Sequence, residues 1–288
     1  MKPTDFRHHH RLRVLWAEVD MQKIVFNPHY LAYFDCAISD YWRALAMPYT
    51  AAMQRLGGDI FLRKTAVEFN ASAEMDDRLD IGLRCDRIGT SSMTFVGGIF
   101  RGDRLLTAGE LVYVFADPAT QTSRPVPAPL RALIEAYEAG QPVTQVQTGD
   151  WAALGDAARA LRTAVFIEEQ GIARADEWDE ADATAVHAVV TNLLGMPVAT
   201  GRLLQQAPGE GRIGRMAVDR ALRGSGVGRQ LIQALQQAAF ERGDRRIVLS
   251  AQRSAEGFYQ RLGYVPEGAP YDEVGIAHIG MARSFENL

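Results

Sequence analysis

The hydrophobic positions in the first half of the chain predict one long helix followed by several strands. Asn27 and Pro28 suit a helix start, and apolar residues then recur at helical spacing at Leu31, Phe34, Ile38, Trp42 and Leu45. Ala32, Cys36 and Ala46 widen this apolar face, which predicts a buried helix. The strand-like runs are Arg11–Trp16, Ala66–Asn70, Leu79–Cys85, Met93–Phe100 and Leu105–Phe115. A buried helix followed by consecutive strands predicts an α+β fold, with an antiparallel sheet wrapped around the helix.

The second half of the chain alternates helices with strands. The pattern predicts helices at Gly155–Gln170, Val227–Gly243 and Ala255–Leu262, and strands at His187–Asn192, Pro197–Leu204, Arg212–Val218, Arg246–Ala251 and Ile276–Ala282. Two of these strands bracket a helix at βαβ spacing, so this half is of α/β type. The polar stretch GQPVTQVQTGD follows a predicted helix at Pro129–Ala139. We therefore predict one domain at residues 1–140, a linker and first strand at 141–150, and a second domain at 151–288.

Composition narrows the classes of function. The chain has 288 residues and a net charge of -4. Hydrophobic residues make up 47% of it, which is enough apolar material for two cores. No basic stripe is present, so nucleic acid is not an expected partner. The N-terminus has no apolar signal region, and no apolar run approaches the ~18–20 residues of a membrane span, so no membrane partner is expected. Cys36 and Cys85 cannot form a disulfide framework, which favours the reducing cytoplasm.

A glycine-rich segment joins the predicted strand Arg212–Val218 to the predicted helix Val227–Gly243. It consists of Arg223, Gly224, Ser225, Gly226, Val227, Gly228 and Arg229. Glycines let successive amides turn toward one point, and a helix start adds unpaired N–H donors, so the segment suits a phosphate or diphosphate. A P-loop is excluded because no lysine follows Lys64, and a dinucleotide fingerprint requires another glycine spacing. A tight turn with a solvated Arg223 remains the alternative on these residues alone.

This segment resembles motif A of the GNAT acyl-CoA N-acyltransferases. The stretch IGRMAVDRALRGSGVGRQLI contains the (Arg/Gln)-x-x-Gly-x-(Gly/Ala) signature at Arg223, Gly226 and Gly228. The stretches VFIEEQGI, AQRSAEGFYQRLGY and GIAHIGMAR resemble the ElaA-like branch. The resemblance implies an α/β fold with a mixed, splayed sheet, and acetyl-CoA or another acyl-CoA as substrate, with its diphosphate on the glycine-rich segment. It also implies that pantetheine runs along the backbone of Met216, Ala217 and Val218.

The same resemblance implies roles for several side chains in acyl transfer to an amine, whose identity stays open. Tyr259 aligns with the tyrosine that protonates the coenzyme sulfur; the alternative is a core aromatic beside Phe258. Glu168, Glu169 and His278 are candidate bases or substrate contacts. The alternatives are a solvated helix end for the glutamates and a satisfied strand histidine for His278. Independently of the resemblance, Trp178, Asp179 and Asp182 lie in an acidic loop able to face a cationic acceptor.

In the first half, Asp20 lies between a predicted strand and the start of the buried helix. A carboxylate there can act as base or nucleophile while helix-terminal amides polarise a carbonyl; the alternative is a simple turn residue. The segment from Asp20 to the helix start resembles the hotdog-fold acyl-CoA thioesterases of the 4-hydroxybenzoyl-CoA thioesterase and YbgC type. The resemblance implies catalysis by Asp20, a polarising backbone N–H near Asn27 and a substrate contact at His29. Lys23 stands where a glycine is common.

Together these resemblances predict a fused acyl-CoA enzyme, with thioester hydrolysis in the first domain and acetyl transfer in the second. The alternative is a non-catalytic acyl-CoA sensor or scaffold. The hotdog resemblance implies a homo-oligomer formed through the first domain. His8, His9 and His10 alternate faces on a strand, so we expect them to be solvated and expect no metal.

Overall fold

The computed structural model describes residues 1–285 and divides the chain into two compact units, Met1–Val143 and Thr144–Leu288. The first unit consists of β1 (His8–Arg13), α1 (Pro28–Ala44), α2 (Tyr49–Leu56), β2 (Asp59–Phe69), β3 (Arg78–Ile88), β4 (Ser92–Arg101), β5 (Arg104–Ala116) and α3 (Ala128–Glu138). Its five strands form an antiparallel sheet in the order β1-β3-β4-β5-β2. The predicted antiparallel sheet around a buried helix is confirmed.

Glycines in the sheet make room for α1. Gly97 of β4 and Gly109 of β5 are paired in register, and the ring of Phe34 lies against both. A Cβ atom at Gly109 would come within 2.7 Å of that ring, and one at Gly97 within 2.8 Å. Phe34 is fully buried, so the close approach of helix and sheet depends on these two positions.

The predicted start and apolar face of α1 need two corrections. Asn27 has helical backbone angles, and its side chain makes no capping hydrogen bond, so it is not the predicted cap. Leu31, Ala32 and Cys36 are exposed rather than part of the buried face. That face is instead formed by Tyr30, Tyr33, Phe34, Ala37, Ile38, Tyr41 and Trp42. Tyrosines bury most of their rings while the hydroxyl keeps a polar partner, which a purely apolar pattern does not register.

The first strand runs from His8 to Arg13 rather than from Arg11 to Trp16, and it ends before Trp16 because Trp16–Glu18 forms a 3₁₀ turn. The expectation that His8, His9 and His10 are solvated is wrong.

Each of the three histidines has a separate partner. The buried His8 has its Nε2 3.0 Å from the carbonyl oxygen of Ala37, while His9 and His10 pair with Asp80 and Asp40. Their divergence follows from the alternation of side chains along a strand.

The second unit has a seven-stranded sheet in the order β11-β12-β10-β9-β8-β7-β6. Its strands are β6 (Thr144–Gly149), β7 (Val186–Asn192), β8 (Pro197–Ala207), β9 (Glu210–Val218), β10 (Arg246–Gln252), β11 (Val265–Glu273) and β12 (Ile276–Ser284). Its helices are α4 (Trp151–Arg162), the π-helical turn Thr163–Glu169, α5 (Arg174–Glu177), α6 (Val227–Arg242) and α7 (Glu256–Gln260). Only β9 and β10 are parallel, so the sheet is mixed, as predicted.

The parallel strands β9 and β10 separate partway along their length. Their pairing runs from Arg246 opposite Glu210 to Leu249 opposite Ile213 and then stops. Beyond that point β9 carries an extra residue relative to β8, because the pair Arg202–Gly214 is followed by Thr200–Ala217. Arg215, within this bulge, has a positive φ of 50°. The bulge and the lost pairing open a cleft between the carboxyl ends of the two strands.

No helix among residues 1–285 combines the length and apolar character needed to cross a membrane.

Candidate active sites

The glycine-rich loop ends at the N-terminus of α6. Gly224 and Gly226 have positive φ angles of 86° and 94°, and a Cβ atom at either would meet nothing within 4 Å. The loop therefore needs glycine for its backbone conformation rather than for space. The amides of Gly224, Gly226, Val227 and Gly228 have no hydrogen-bond partner among residues 1–285. Unpartnered amides at the start of a 16-residue helix form a ready site for an anion.

Arg223, at the start of this loop, is already paired with a carboxylate. Its Nη1 and Nη2 donate to the two oxygens of Glu169 at 2.6 and 2.8 Å. These hydrogen bonds hold the pKa of the Glu169 carboxyl below its ordinary value. Glu169 thus lies beside the loop. Arg229, at the other end of the loop, is exposed and forms no ion pair in the part of the chain that the structure describes.

A cavity of about 500 Å³ lies in the cleft between the splayed strands. Met216 lines it from β9, and Ser250 and Gln252 line it from the end of β10. Tyr259 and His278 lie on its wall, and each side chain is only 8% exposed. The backbone of β9 between Gly214 and Val218 faces this opening without a β10 partner.

The Tyr259 hydroxyl has no hydrogen-bond partner among residues 1–285, although the ring is packed against Phe258 and Tyr264. Burial raises the pKa of this hydroxyl above its ordinary value of 10.0. The group is therefore a neutral phenol at neutral pH and carries a proton that it can donate.

His278 has one ring nitrogen occupied and one open. Its Nδ1 lies 2.8 Å from the carbonyl oxygen of Ile276, and a carbonyl only accepts hydrogen bonds. In the neutral ring Nδ1 therefore carries the hydrogen and Nε2 carries the lone pair. The ring is stacked on Tyr271, with centroids 6.2 Å apart at 23°.

Sequence reasoning missed a hydrogen-bonded group formed by Tyr271, Ser250 and Glu273, of which Ser250 and Glu273 line the cavity. The Ser250 Oγ lies 2.5 Å from the Tyr271 hydroxyl and 2.9 Å from a Glu273 oxygen. The run VPEGAPYDE that forms β11 is mostly exposed, so it lacks the apolar alternation that would have predicted a strand.

The acidic loop does not offer its carboxylates freely to a ligand. They belong to an ion-pair network formed by Arg162, Arg202, Arg215, Glu177, Asp179 and Asp182. Arg202 binds Asp179 at 2.6 Å and Asp182 at 2.7 Å. Because Asp182 is buried, its primary role is to neutralise the arginines around it.

In the first unit, Asp20 lies in a short reversal of the chain ahead of α1. Its Oδ1 accepts the amide of Gln22 at 2.8 Å, and its backbone exchanges contacts with Lys23 and Ile24. Lys23 has a φ of 65°, in the left-handed region that favours glycine. The departure from glycine at this position therefore carries backbone strain.

The amide of Asn27 has no partner among residues 1–285, and it precedes Pro28 at the start of α1. His29 follows one residue later and is half-buried against Phe26, with ring centroids 6.3 Å apart. Glu18, which sequence reasoning missed, joins this region to α1. It accepts hydrogen bonds from the Leu15 amide at 2.7 Å and from the Tyr33 hydroxyl at 2.9 Å.

Comparison with known proteins assigns each unit to a separate group. Residues 165–285 match the family model of the acetyltransferase (GNAT) domain, and residues 14–134 match that of the thioesterase-like superfamily. Protein ElaA of Escherichia coli (strain K12) is 38% identical over 130 residues, which are 43% of this chain and 82% of ElaA.

Two solved structures are similar to parts of the chain. A crystal structure of an acyl-CoA N-acyltransferase from Pseudomonas aeruginosa is 33% identical, with a TM-score of 0.45, covering 49% of this chain and 99% of that one. A crystal structure of a 1,4-dihydroxy-2-naphthoyl-CoA thioesterase from Synechocystis is 17% identical, with a TM-score of 0.42, covering 46% of this chain and 97% of that one.

Proposed function

Because the chain belongs to the GNAT acetyltransferase family through its second unit and matches the thioesterase-like superfamily through its first, we propose that it is a bifunctional enzyme of acyl-CoA thioesters. The second unit transfers an acetyl group from acetyl-CoA to an amine, and the first hydrolyses an acyl-CoA. The corresponding domains are residues 1–140 and 151–288, joined by a linker and first strand at 141–150. The observation that carries the transferase assignment is the pairing of a loop of unpartnered amides with a cavity into which a neutral phenol can donate.

Coenzyme A binds to the glycine-rich loop and to the open backbone edge of β9. The diphosphate accepts hydrogen bonds from the loop amides, and Arg223 and Arg229 add charge-assisted ones. The binding segment comprises Arg223, Gly224, Ser225, Gly226, Val227, Gly228 and Arg229. Pantetheine then follows the open backbone edge of Met216, Ala217 and Val218, which brings the thioester to the cavity.

The transfer step conserves protons as follows. The acceptor ammonium gives one proton to Nε2 of His278, and the freed nitrogen lone pair attacks the thioester carbonyl carbon. The carbon–sulfur bond breaks, and the leaving sulfur takes the proton of Tyr259. The nitrogen, now bonded to the acetyl group, loses a second proton, and this proton restores the Tyr259 phenol. His278 releases the first proton to solvent, so the reaction yields one proton in total.

Hydrolysis in the first unit uses Asp20 and the Asn27 amide. The amide donates to the thioester oxygen and stabilises the negative charge that develops there. Asp20 activates water or attacks the carbonyl carbon, and His29 contacts the acyl group.

Two further expectations belong to the same proposal. The first unit forms a homo-oligomer, and the exposed apolar residues Leu62 and Phe69 on the edge strand β2 support an interface there. The free thiols of Cys36 and Cys85 support a cytoplasmic location. Light scattering of the purified chain tests the homo-oligomer. A monomeric mass would contradict it.

The transferase assignment is tested by Tyr259→Phe, assayed by thiol release from acetyl-CoA across a panel of amines. We expect kcat to fall by ~10²-fold or more while the Kd for coenzyme A stays unchanged. Tyr264→Phe is the matched control, because Tyr264 is a buried tyrosine that is not among the cavity-lining residues. Its hydroxyl accepts a hydrogen bond from Nε2 of Gln236. Normal transfer by Tyr259→Phe would show that another group protonates the sulfur.

The hydrolase assignment is tested by Asp20→Asn with a panel of acyl-CoAs and no amine present. We expect thiol release by the wild type and its loss in the variant. Asp35→Asn, which neutralises an exposed carboxylate of α1, should release thiol at the wild-type rate. Equal background release by all three proteins would favour the alternative of a non-catalytic acyl-CoA sensor.

A further inference from the structure

The wall of the cavity contributed by β11, β12 and the end of β10 differs electrostatically from the opposite wall. Four carboxylates line the cavity: Asp176, Glu177, Asp179 and Glu273. Glu177 and Asp179 are neutralised by arginines of the ion-pair network, and Asp176 is exposed. Glu273 is half-buried and has no arginine, lysine or histidine partner among residues 1–285. Of the three arginines that line the cavity, Arg202 and Arg215 are paired with Asp179, and the exposed Arg212 of β9 forms no ion pair with Glu273 in the described part of the chain.

The hydrogen bonds around Glu273 have only one consistent direction. A carboxylate accepts and cannot donate, so Ser250 must donate its single proton to Glu273, at 2.9 Å. The Tyr271 hydroxyl must then donate to Ser250, at 2.5 Å. The two hydrogen bonds therefore run in one direction, from Tyr271 through Ser250 to Glu273, and they hold one carboxylate oxygen in place.

The same wall carries an open, nearly buried base. Nε2 of His278 has no partner among residues 1–285, and the His278 ring is stacked on Tyr271, the first member of the hydrogen-bonded chain. The Nε2 lone pair of His278 lacks a proton donor in the described part of the chain. The Glu273 carboxylate, two residues along β11 from Tyr271, lacks a cation among residues 1–285. An alkylammonium group supplies both, since its N–H groups can donate to each.

The turn that presents Glu273 is conformationally strained. Val274, directly after it, has a φ of 49°, which is rare for a β-branched residue, and its side chain lines the cavity. The Asp272 carboxylate holds the turn by accepting the Gly275 amide at 2.9 Å. Strain of this kind persists where surrounding contacts impose it, and here those contacts hold Glu273 against Ser250.

We propose that Glu273, oriented by Ser250 and Tyr271, binds the ammonium group of the acceptor and selects cationic amines over neutral nucleophiles. The inference rests on the proposed acetyl transfer and adds a specificity-determining residue to it. Bound at Glu273, the ammonium lies on the wall where His278 removes its proton before attack.

A binding experiment on the full chain tests this without relying on catalysis. Butylammonium is titrated against wild type, Glu273→Gln and Asp272→Asn, and the imidazole signal of His278 is followed by NMR, with His278→Gln used for assignment. Butanol serves as the neutral ligand of the same size. Asp272→Asn is the matched control because it removes an equal charge from the same turn, while its side-chain oxygen can still accept the Gly275 amide.

We expect Glu273→Gln to raise the Kd for butylammonium at least ~10-fold, since it removes a charge-assisted hydrogen bond. The Kd for butanol should not change, and Asp272→Asn should behave as wild type. Ser250→Ala, which removes the hydrogen bond that orients the carboxylate, should weaken butylammonium binding in the same direction.

Equal butylammonium affinity in wild type and Glu273→Gln would overturn the inference, as would an equal loss in Asp272→Asn. The proposed function fails separately: if butylammonium binds as expected but no amine is acetylated from acetyl-CoA, the cation site stands and the transferase assignment falls. If amines are acetylated with the same KM by wild type and Glu273→Gln, the transferase assignment stands and the cation site at Glu273 falls.

Discussion

The stability of the first unit should fall as the pH drops below 7, because of His8. Its side chain is buried beneath α1, and burial lowers its pKa from 6.5 to about 4. The folded state therefore stays unprotonated at a pH where the unfolded chain binds a proton, so stability is complete above pH 6.5 and declines toward pH 4. The difference between the two pKa values corresponds to a maximum loss of about 3 kcal/mol. Between pH 7.5 and pH 5 the expected loss is about 2 kcal/mol, a ~30-fold change in the unfolding equilibrium.

The assay is hydrogen exchange of α1 peptides in the full chain at pH 7.5, 6 and 5, with the intrinsic exchange rate at each pH divided out. His8→Gln is the comparison, because glutamine can still donate to the Ala37 carbonyl but does not titrate in this range. The variant should lose about 2 kcal/mol less protection than wild type over this interval. Parallel pH dependence in the two proteins would refute the reasoning, since other titrating groups would then account for the whole effect.

Three further predictions concern single contacts. Lys23→Gly should raise the free energy of unfolding of the first unit by roughly 0.5–1 kcal/mol in urea denaturation, because it removes a side chain from a φ of 65°; an unchanged or lower urea midpoint would contradict this. Gly109→Ala should destabilise the first unit by about 1–3 kcal/mol in thermal unfolding, because its Cβ meets the ring of Phe34; an unaltered midpoint would mean that the ring moves aside. Glu169→Gln should tighten coenzyme A binding by ~3-fold in calorimetry, because it frees Arg223 for the diphosphate, whereas weaker binding would show that Glu169 orients Arg223 productively.

Sequence patterning predicted the elements whose buried faces are regular. Strands β3, β4 and β5 and helix α6 emerged close to their observed bounds because each has one face in a core. The pattern failed where burial is not periodic. The edge strand β2 was foreseen only in its last residues because most of it is exposed, and β11 was missed for the same reason.

The candidate sites divide in the same way. The glycine-rich loop could be predicted because a positive φ at Gly224 and Gly226 restricts the residue type, and residue type is what a sequence displays. Glu273 could not be predicted, since its importance depends on the absence of a partner. An unpaired carboxylate is recognised only in the folded chain, where Arg202 and Arg215 of the same cavity are paired with Asp179 and not with Glu273.

Counting acyl-CoA molecules on the folded chain tests most directly the claim that each unit holds one thioester. Native mass spectrometry with a non-hydrolysable thioether analogue of acetyl-CoA should find two molecules per chain in the wild type. Gly226→Val, which places a branched side chain at a φ of 94° in the loop, should retain only the molecule in the first unit. A wild-type chain that binds none, or a Gly226→Val chain that still binds two, would contradict the account.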